Sequence, residues 1–115
     1  NLIGTVYLYT DYTLPVNEVR QELRRLLTLQ PDLWDGQVCV LQVTDAGERT
    51  VEIRALMSSD DSSKSFDLRC CIREKLIEFI QKNYPESLPK TRADLSEKQD
   101  REVRIPPETN STTPQ

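Results

Sequence analysis

The spacing of apolar residues along this chain switches between every second residue and every third or fourth, and this constrains the fold more than any other feature. A period of two with β-branched and aromatic residues is typical of strands, and spacings of three and four are typical of amphipathic helices. The pattern predicts strands over 3–9, 38–44 and 50–57, a helix from 13–15 to 30, and a second helix over 63–83.

The element order of strand, helix, strand, strand and helix predicts one small α+β domain. Because strand–helix–strand connections are right-handed and residues 45–48 suit a hairpin loop, the natural arrangement is a ferredoxin-like half-open sandwich. Two helices would cover one face of a small sheet, with the third strand between the other two and the first strand at an edge. The fourth strand of that fold is missing, or must be supplied by the tail or a partner.

Composition divides the chain at residue 88. Residues 1–88 carry the dense apolar periodicity, whereas residues 89–115 hold five basic residues, five acidic residues and four prolines. Such a segment buries too little apolar surface to offset its ordering entropy. We therefore expect a domain at 1–88 and a polar, largely disordered tail at 89–115, in which 101–105 is the one candidate strand.

The chain contains no histidine and only three glycines. This excludes Ser–His and Cys–His nucleophile pairs, histidine-ligated zinc and a glycine-rich phosphate loop. The acidic pairs at 60–61 and 32/35 suit helix caps and loops, where aspartate bonds the backbone. We predict that the chain is not an enzyme and has no catalytic residue, cofactor or metal site.

Three cysteines, Cys39, Cys70 and Cys71, form an odd set without a CxxC spacing. Reduced thiols in the cytosol are the simplest interpretation, and a redox role for the adjacent pair stays open.

Tyr7 and Tyr9 share the face of the first strand that the helices would leave bare. Aromatic residues in such a place occur in RNA-recognition sheets, but those sheets also need aromatic residues on the third strand. Here that strand supplies Arg54, and the formal net charge of −4 falls on residues 1–88. We predict no nucleic-acid partner and expect this face to pack on a neighbouring domain. The single tryptophan, Trp34, is expected to fold back over the open end of the core.

The second helix has an apolar arc about twice as wide as a helix on one surface needs. One stripe, Leu68, Ile72, Leu76 and Phe79, is predicted to face the sheet, and a second stripe comprises Phe66, Cys70, Ile77, Ile80 and Tyr84. The second stripe packs either on the first helix or on a neighbouring subunit, with Arg69 or Arg73 pairing with an acidic rim. The candidate interface residues are therefore Phe66, Arg69, Arg73, Ile77, Ile80, Tyr7 and Tyr9.

Short strings of sequence, in order, resemble the C-terminal cytoplasmic domain of small-conductance mechanosensitive (MscS-like) ion channels. They are IGTVYLYTDYT at 3–13, VCVLQVTD at 38–45, LRCCIREKL at 68–76, and the proline-containing exit formed by YP at 84–85 and LP at 88–89. The resemblance covers residues 2–92 and lies in the order and spacing of elements rather than in one motif.

This resemblance implies a homoheptameric channel at the cell membrane with a hollow cytoplasmic cage. The domain would form the lower cage wall below a β-rich domain, would bind its own subunits and that domain, and would not itself contact the membrane. The strings include neither the transmembrane helices nor the β-rich domain of such channels, so the chain would be a fragment without a pore. The alternative expectation is a stand-alone regulatory or ligand-sensing α+β domain.

Overall fold

The computed structural model describes residues 1–88. The predicted tail at 89–115, with its candidate strand at 101–105, lies outside the described residues. Five elements and a terminal 3₁₀ turn follow in chain order: β1 (Leu2–Thr10), α1 (Val16–Thr28), β2 (Cys39–Ala46), β3 (Val51–Ser59), α2 (Ser62–Asn83) and the turn Pro85–Ser87.

The three strands form an antiparallel sheet in the order β1-β3-β2. Ala55 in the central strand lies opposite Val6 of β1 and opposite Leu41 of β2. The register on β2 shifts between Val43 and Asp45, where one extra residue forms a bulge. The sequence-based prediction of a small α+β domain with β3 in the centre and β1 at an edge is therefore confirmed for residues 1–88.

Alternation along the strands separates a buried face from an open one. On β3, Ile53, Ala55 and Met57 are buried and face the core, and Val6 of β1 joins them. Tyr7, one residue further along β1, is 47% exposed on the opposite side. The sheet therefore has one face in the core and one face without a covering element from residues 1–88.

Helix α1 forms because its apolar residues recur at helical spacing. Pro15 precedes its first turn, where a missing N–H costs nothing. Its buried residues are Val19, Leu23, Leu26 and Leu27. On the adjoining side, Arg20 donates from Nε and Nη2 to the backbone oxygen of Leu41, at 3.1 and 3.0 Å. The guanidinium thereby fixes α1 against β2.

Helix α2 begins at a side-chain cap, because Asp61 accepts a hydrogen bond from the Lys64 backbone N–H at 2.9 Å. The residues of α2 that are buried in the core are Leu68, Ile72, Leu76 and Ile80. Phe79, predicted to face the sheet, is half-buried instead and lies in a groove of about 360 Å³ between α1 and α2.

The segment between α1 and β2 closes one end of the core. Trp34 is half-buried against the core, and its indole N–H donates to the Val38 oxygen at 2.9 Å. Trp34 therefore folds back against the core. Within residues 1–88, neither helix combines the length and apolarity that crossing a bilayer requires.

Candidate assembly surfaces

The predicted interface residues lie on two separate surfaces. Phe66, Arg69, Arg73 and Ile77 lie along one side of α2, and we call them the α2 flank. Tyr7 and Tyr9 lie on the uncovered side of the sheet, which we call the open face. Ile80 is 1% exposed and belongs to the core, so it has almost no surface to offer a partner.

The α2 flank points away from α1. At the helical repeat its four residues fall within about 80° around the axis. The groove against α1 is lined from α2 by other residues, among them Lys75, Phe79 and Lys82. The alternative that the second stripe packs on α1 therefore does not apply to the residues of the α2 flank.

Phe66 is the exposed residue of this flank, and Arg69 lies beside it. Phe66 is 58% exposed, and the guanidinium carbon of Arg69 lies 5.6 Å from the centre of its ring. That distance is within the range of a cation–π contact. Arg69 is half-buried because its stem crosses β1, and its Nε donates to the Ser65 backbone oxygen at 3.4 Å. The flank thus presents an aromatic ring beside a fixed cation.

The edge of β1 runs beneath this flank. Among residues 1–88, β1 pairs only with β3, which leaves its outer backbone groups without a strand partner. An open crease of about 370 Å³ lies between the start of β1 and α2, and Gly4 and Arg69 both line it. At the far end of β1, the Asp11 N–H donates to the Ser87 oxygen at 2.6 Å. An unpaired strand edge of this length is a site where another chain can add.

The open face is acidic at its hairpin end. Glu52 lies in register between Tyr9 of β1 and Asp45 of β2, and we call these three residues the acidic row. The Tyr9 hydroxyl donates to Glu52 Oε2 at 3.0 Å, and the Thr44 hydroxyl donates to Oε1 at 2.7 Å. The hydrogen bond to the Glu52 carboxylate raises the pKa of Tyr9. Two side-chain hydrogen bonds therefore hold Glu52 in place.

The cation of the open face is already engaged with its own neighbour. Arg54 donates from Nη2 to Gln42 Oε1 at 2.6 Å. No carboxylate among residues 1–88 lies within 4.0 Å of its charged nitrogens. The two carboxylates of the acidic row therefore have no cation paired with them in the described part of the chain.

Three of the four remaining acidic candidates have structural partners, and the fourth, Asp32, is exposed. Asp61 caps α2, and Asp60 lies 3.8 Å from the Lys64 ammonium. Asp35 Oδ1 accepts hydrogen bonds from the Ser58 hydroxyl and from the Gln37 N–H. In residues 1–88 no three potential metal ligands come together.

The three cysteines are free and half-buried. Burial raises the pKa of the Cys39 thiol, which disfavours the reactive thiolate. No disulfide links Cys70 to Cys71.

The acidic row could not be predicted from the sequence. Asp45 and Glu52 flank the hairpin loop and are visible as acidic residues, but only the bulge at Thr44 places them opposite each other.

Comparison with known proteins gave no relative of this chain. A scan against known protein families and searches of the curated proteins and of the solved structures matched nothing.

Proposed function

We propose that residues 1–88 are a non-catalytic assembly domain from the cytoplasmic cage of a mechanosensitive ion channel, with the ferredoxin-like arrangement of that family. The proposal includes a homo-oligomeric ring, heptameric by the resemblance, that lies at the cytoplasmic face of the cell membrane. The preceding β-rich domain of the same chain would be its second partner. The pore itself would lie in parts of the protein outside this sequence.

The observation that carries the proposal is the amount of unpartnered surface on so small a domain. Phe66, Tyr7 and Tyr9 are 58%, 47% and 55% exposed, and they occupy two different sides of the molecule. The nine-residue strand β1 adds an edge without a strand partner in residues 1–88. Exposed aromatic residues and open strand edges are features that proteins use for association.

The residues described also favour a structural role over a catalytic one. Polar side chains that meet at close range hold parts of the fold together: Asp35 bonds Ser58 of β3, and Tyr9 of β1 bonds Glu52 of β3. Nucleophilic catalysis would need a nucleophile beside a base, and the absence of histidine removes the commonest base. The domain is therefore proposed to act through its surfaces.

The full reading frame is the first test. Three or more hydrophobic spans upstream of Asn1 are expected, and a start codon close to Asn1 would contradict the channel proposal. The second test is native mass spectrometry of the full-length protein in detergent, which should give a heptamer. A monomeric full-length protein would contradict the cage role.

A matched pair of variants connects this domain to the ring. Phe66→Glu in the full-length protein is expected to weaken the assembly, because it places a charge on the α2 flank. Leu29→Glu is the control, since Leu29 is also 58% exposed but lies just beyond the end of α1. Equal assembly by both variants would remove the α2 flank from the interface.

The regulatory alternative has one observation in its favour, the groove of about 360 Å³ between α1 and α2. Its lining is dominated by charged side chains, including Glu22, Arg25 and Lys82. Ligand sites are more often apolar clefts with a few convergent polar groups. The assembly role is therefore the better supported of the two.

A further inference from the structure

We propose that the α2 flank and the acidic row are the two halves of one head-to-tail contact between copies of this chain. In this contact Arg69 and Arg73 of one copy lie against Glu52 and Asp45 of the next. The inference rests on the proposed assembly function and deepens it by naming which surfaces meet. A second copy of the same chain would thus cover the hairpin end of the open face.

Charge is the first observation behind this pairing. The side of α2 that carries Arg69 and Arg73 has no acidic residue within the same arc, since Asp67 and Glu74 fall outside it at the helical repeat. Neither arginine has a carboxylate within 4.0 Å in the described part of the chain. The α2 flank is therefore a local excess of two positive charges on a domain that is negative overall.

The acidic row is the complementary excess. Asp45 and Glu52 lie opposite each other on neighbouring strands, and like charges in that position repel. Glu52 is already oriented by hydrogen bonds from Tyr9 and Thr44, so little further ordering is needed to receive a guanidinium. An arginine placed between the two carboxylates would relieve their repulsion and form charge-assisted hydrogen bonds.

The apolar parts of the two surfaces also match. Phe66 and the half-buried Ile77 flank the arginines on α2. On β1, Tyr9 belongs to the acidic row and Tyr7 borders it. Aromatic and arginine side chains are the ones that most often dominate binding at protein interfaces. Apolar contacts around the charged pairs would exclude water, and this would strengthen the electrostatic attraction within each pair.

The placement of the two halves determines the symmetry. The α2 flank belongs to the helical layer, and the acidic row lies on the opposite side of the sheet. A contact between two different patches is heterologous, so it produces a closed ring or an open filament rather than a two-fold dimer. This agrees with the cyclic assembly in the proposed function.

Charge reversal tests the pairing directly in the 115-residue chain. We would measure association by sedimentation equilibrium up to about 1 mM, the weak end of specific binding. Arg73→Glu alone sets Glu against Glu52, and Glu52→Arg alone sets Arg against Arg73. Each variant is expected to weaken self-association by about tenfold or more.

Restoration is the decisive result. The double variant carrying both changes should associate again, because every contact regains opposite charges. An equimolar mixture of the two single variants should also associate, as alternating chains, although a seven-membered ring of the mixture keeps one like-charge contact. Leu29→Glu should associate like the wild type. Circular dichroism and amide NMR spectra would show that each variant is folded, and Arg73→Gln and Glu52→Gln replace any variant that is not.

The proposal is overturned by a wild-type chain that stays monomeric at 1 mM. It is equally overturned by single variants that associate normally, or by failure of both the double variant and the mixture to recover. If Arg73→Glu weakens association but Glu52→Arg does not, the acidic row is not the surface that meets the α2 flank, and the pairing is wrong. A full-length protein that keeps its ring with both single variants would retain the assembly function while removing this pairing.

Discussion

Gly4 of β1 lies directly beneath Arg69 of α2, with no room for a side chain between them. A Cβ placed on Gly4 would lie 2.9 Å from both Cγ and Cδ of Arg69 and 3.0 Å from the Ser65 hydroxyl oxygen. Close approach of a helix to a strand is a recognised reason for a glycine in a strand. This contact sets how near α2 lies to the β1 edge. It also holds the Arg69 stem against β1 within the α2 flank.

Gly4→Ala is expected to lower the free energy of unfolding by about 1–3 kcal/mol, because the added methyl must displace the Arg69 stem. Urea unfolding followed by circular dichroism would measure this. Gly47→Ala is the matched control, since its Cβ would meet only the Thr50 oxygen at 3.4 Å. If the two alanine variants are equally stable, the close packing of α2 on β1 is not a constraint on the fold.

Two residues that share one predicted stripe of α2 should lose very different amounts of stability when each is replaced by alanine. Ile80 is 1% exposed, so Ile80→Ala should cost about 2–5 kcal/mol of stability through lost burial and a cavity. Phe66 is 58% exposed, and Phe66→Ala should cost less than about 1 kcal/mol. Chemical denaturation of both variants would measure the contrast. A large loss for Phe66→Ala would assign it to the core and weaken the case for the α2 flank as an interface.

The strands and helices can be predicted from the sequence wherever their buried residues recur at a regular spacing. Alternation along β1 and β3 predicts that Val6 and Ile53 lie on the apolar faces of their strands, and spacings of three and four predict the same for Leu23 in α1. All three are buried in the core. The strand order β1-β3-β2 does not follow from periodicity, because a hairpin after a crossover could also place β3 outside β2.

The details that sequence could not supply come from irregular geometry. The wide apolar arc of α2 did not reveal that Ile80 lies in the core while Phe66 lies outside it, because periodicity locates a stripe but not the depth of each residue. The bulge at Thr44 moves Asp45 opposite Glu52, and no local pattern predicts a bulge at that position. The alternation of Cys39, Leu41 and Val43 predicts that all three face the core, but Val43 is 44% exposed, because it lies near the hairpin end of an edge strand.

Arg20 is predicted to stabilise the outer strand β2. Arg20→Met keeps much of the apolar stem but removes both donors to the Leu41 oxygen. We expect a loss of about 1–3 kcal/mol, typical of a hydrogen bond to a charged group, with faster amide exchange in α1 and β2 than in β1. Arg24→Met is the control on the same helix. Equal stability of the two variants would show that Arg20 contributes nothing beyond packing.

The Asp35–Ser58 pair predicts an acid-sensitive contact at the end of the sheet. The Ser58 hydroxyl donates to Asp35 Oδ1 and accepts from the Val38 N–H at 2.8 Å, while the Gln37 N–H also donates to Asp35. The hydrogen bond from Ser58 holds the pKa of Asp35 below its ordinary value, an effect that partial burial opposes and the Gln37 N–H reinforces. Because the folded pKa is lowered, the contribution is present above the unfolded value of about 4 and is lost as pH falls through the folded value.

Asp35→Asn tests this, since the amide keeps the shape of the side chain but does not titrate. The wild type should be more stable than Asp35→Asn by a constant amount between pH 5 and pH 7, and the difference should shrink below about pH 4 as Asp35 becomes protonated. Urea unfolding measures the global effect, and Trp34 fluorescence reports the local one, because its indole is bonded to Val38 in the same segment. Asp32→Asn, at an exposed position on that segment, should change stability little. A difference between wild type and Asp35→Asn that stays the same down to pH 2.5 would mean that the ionised carboxylate does not hold this end of the sheet.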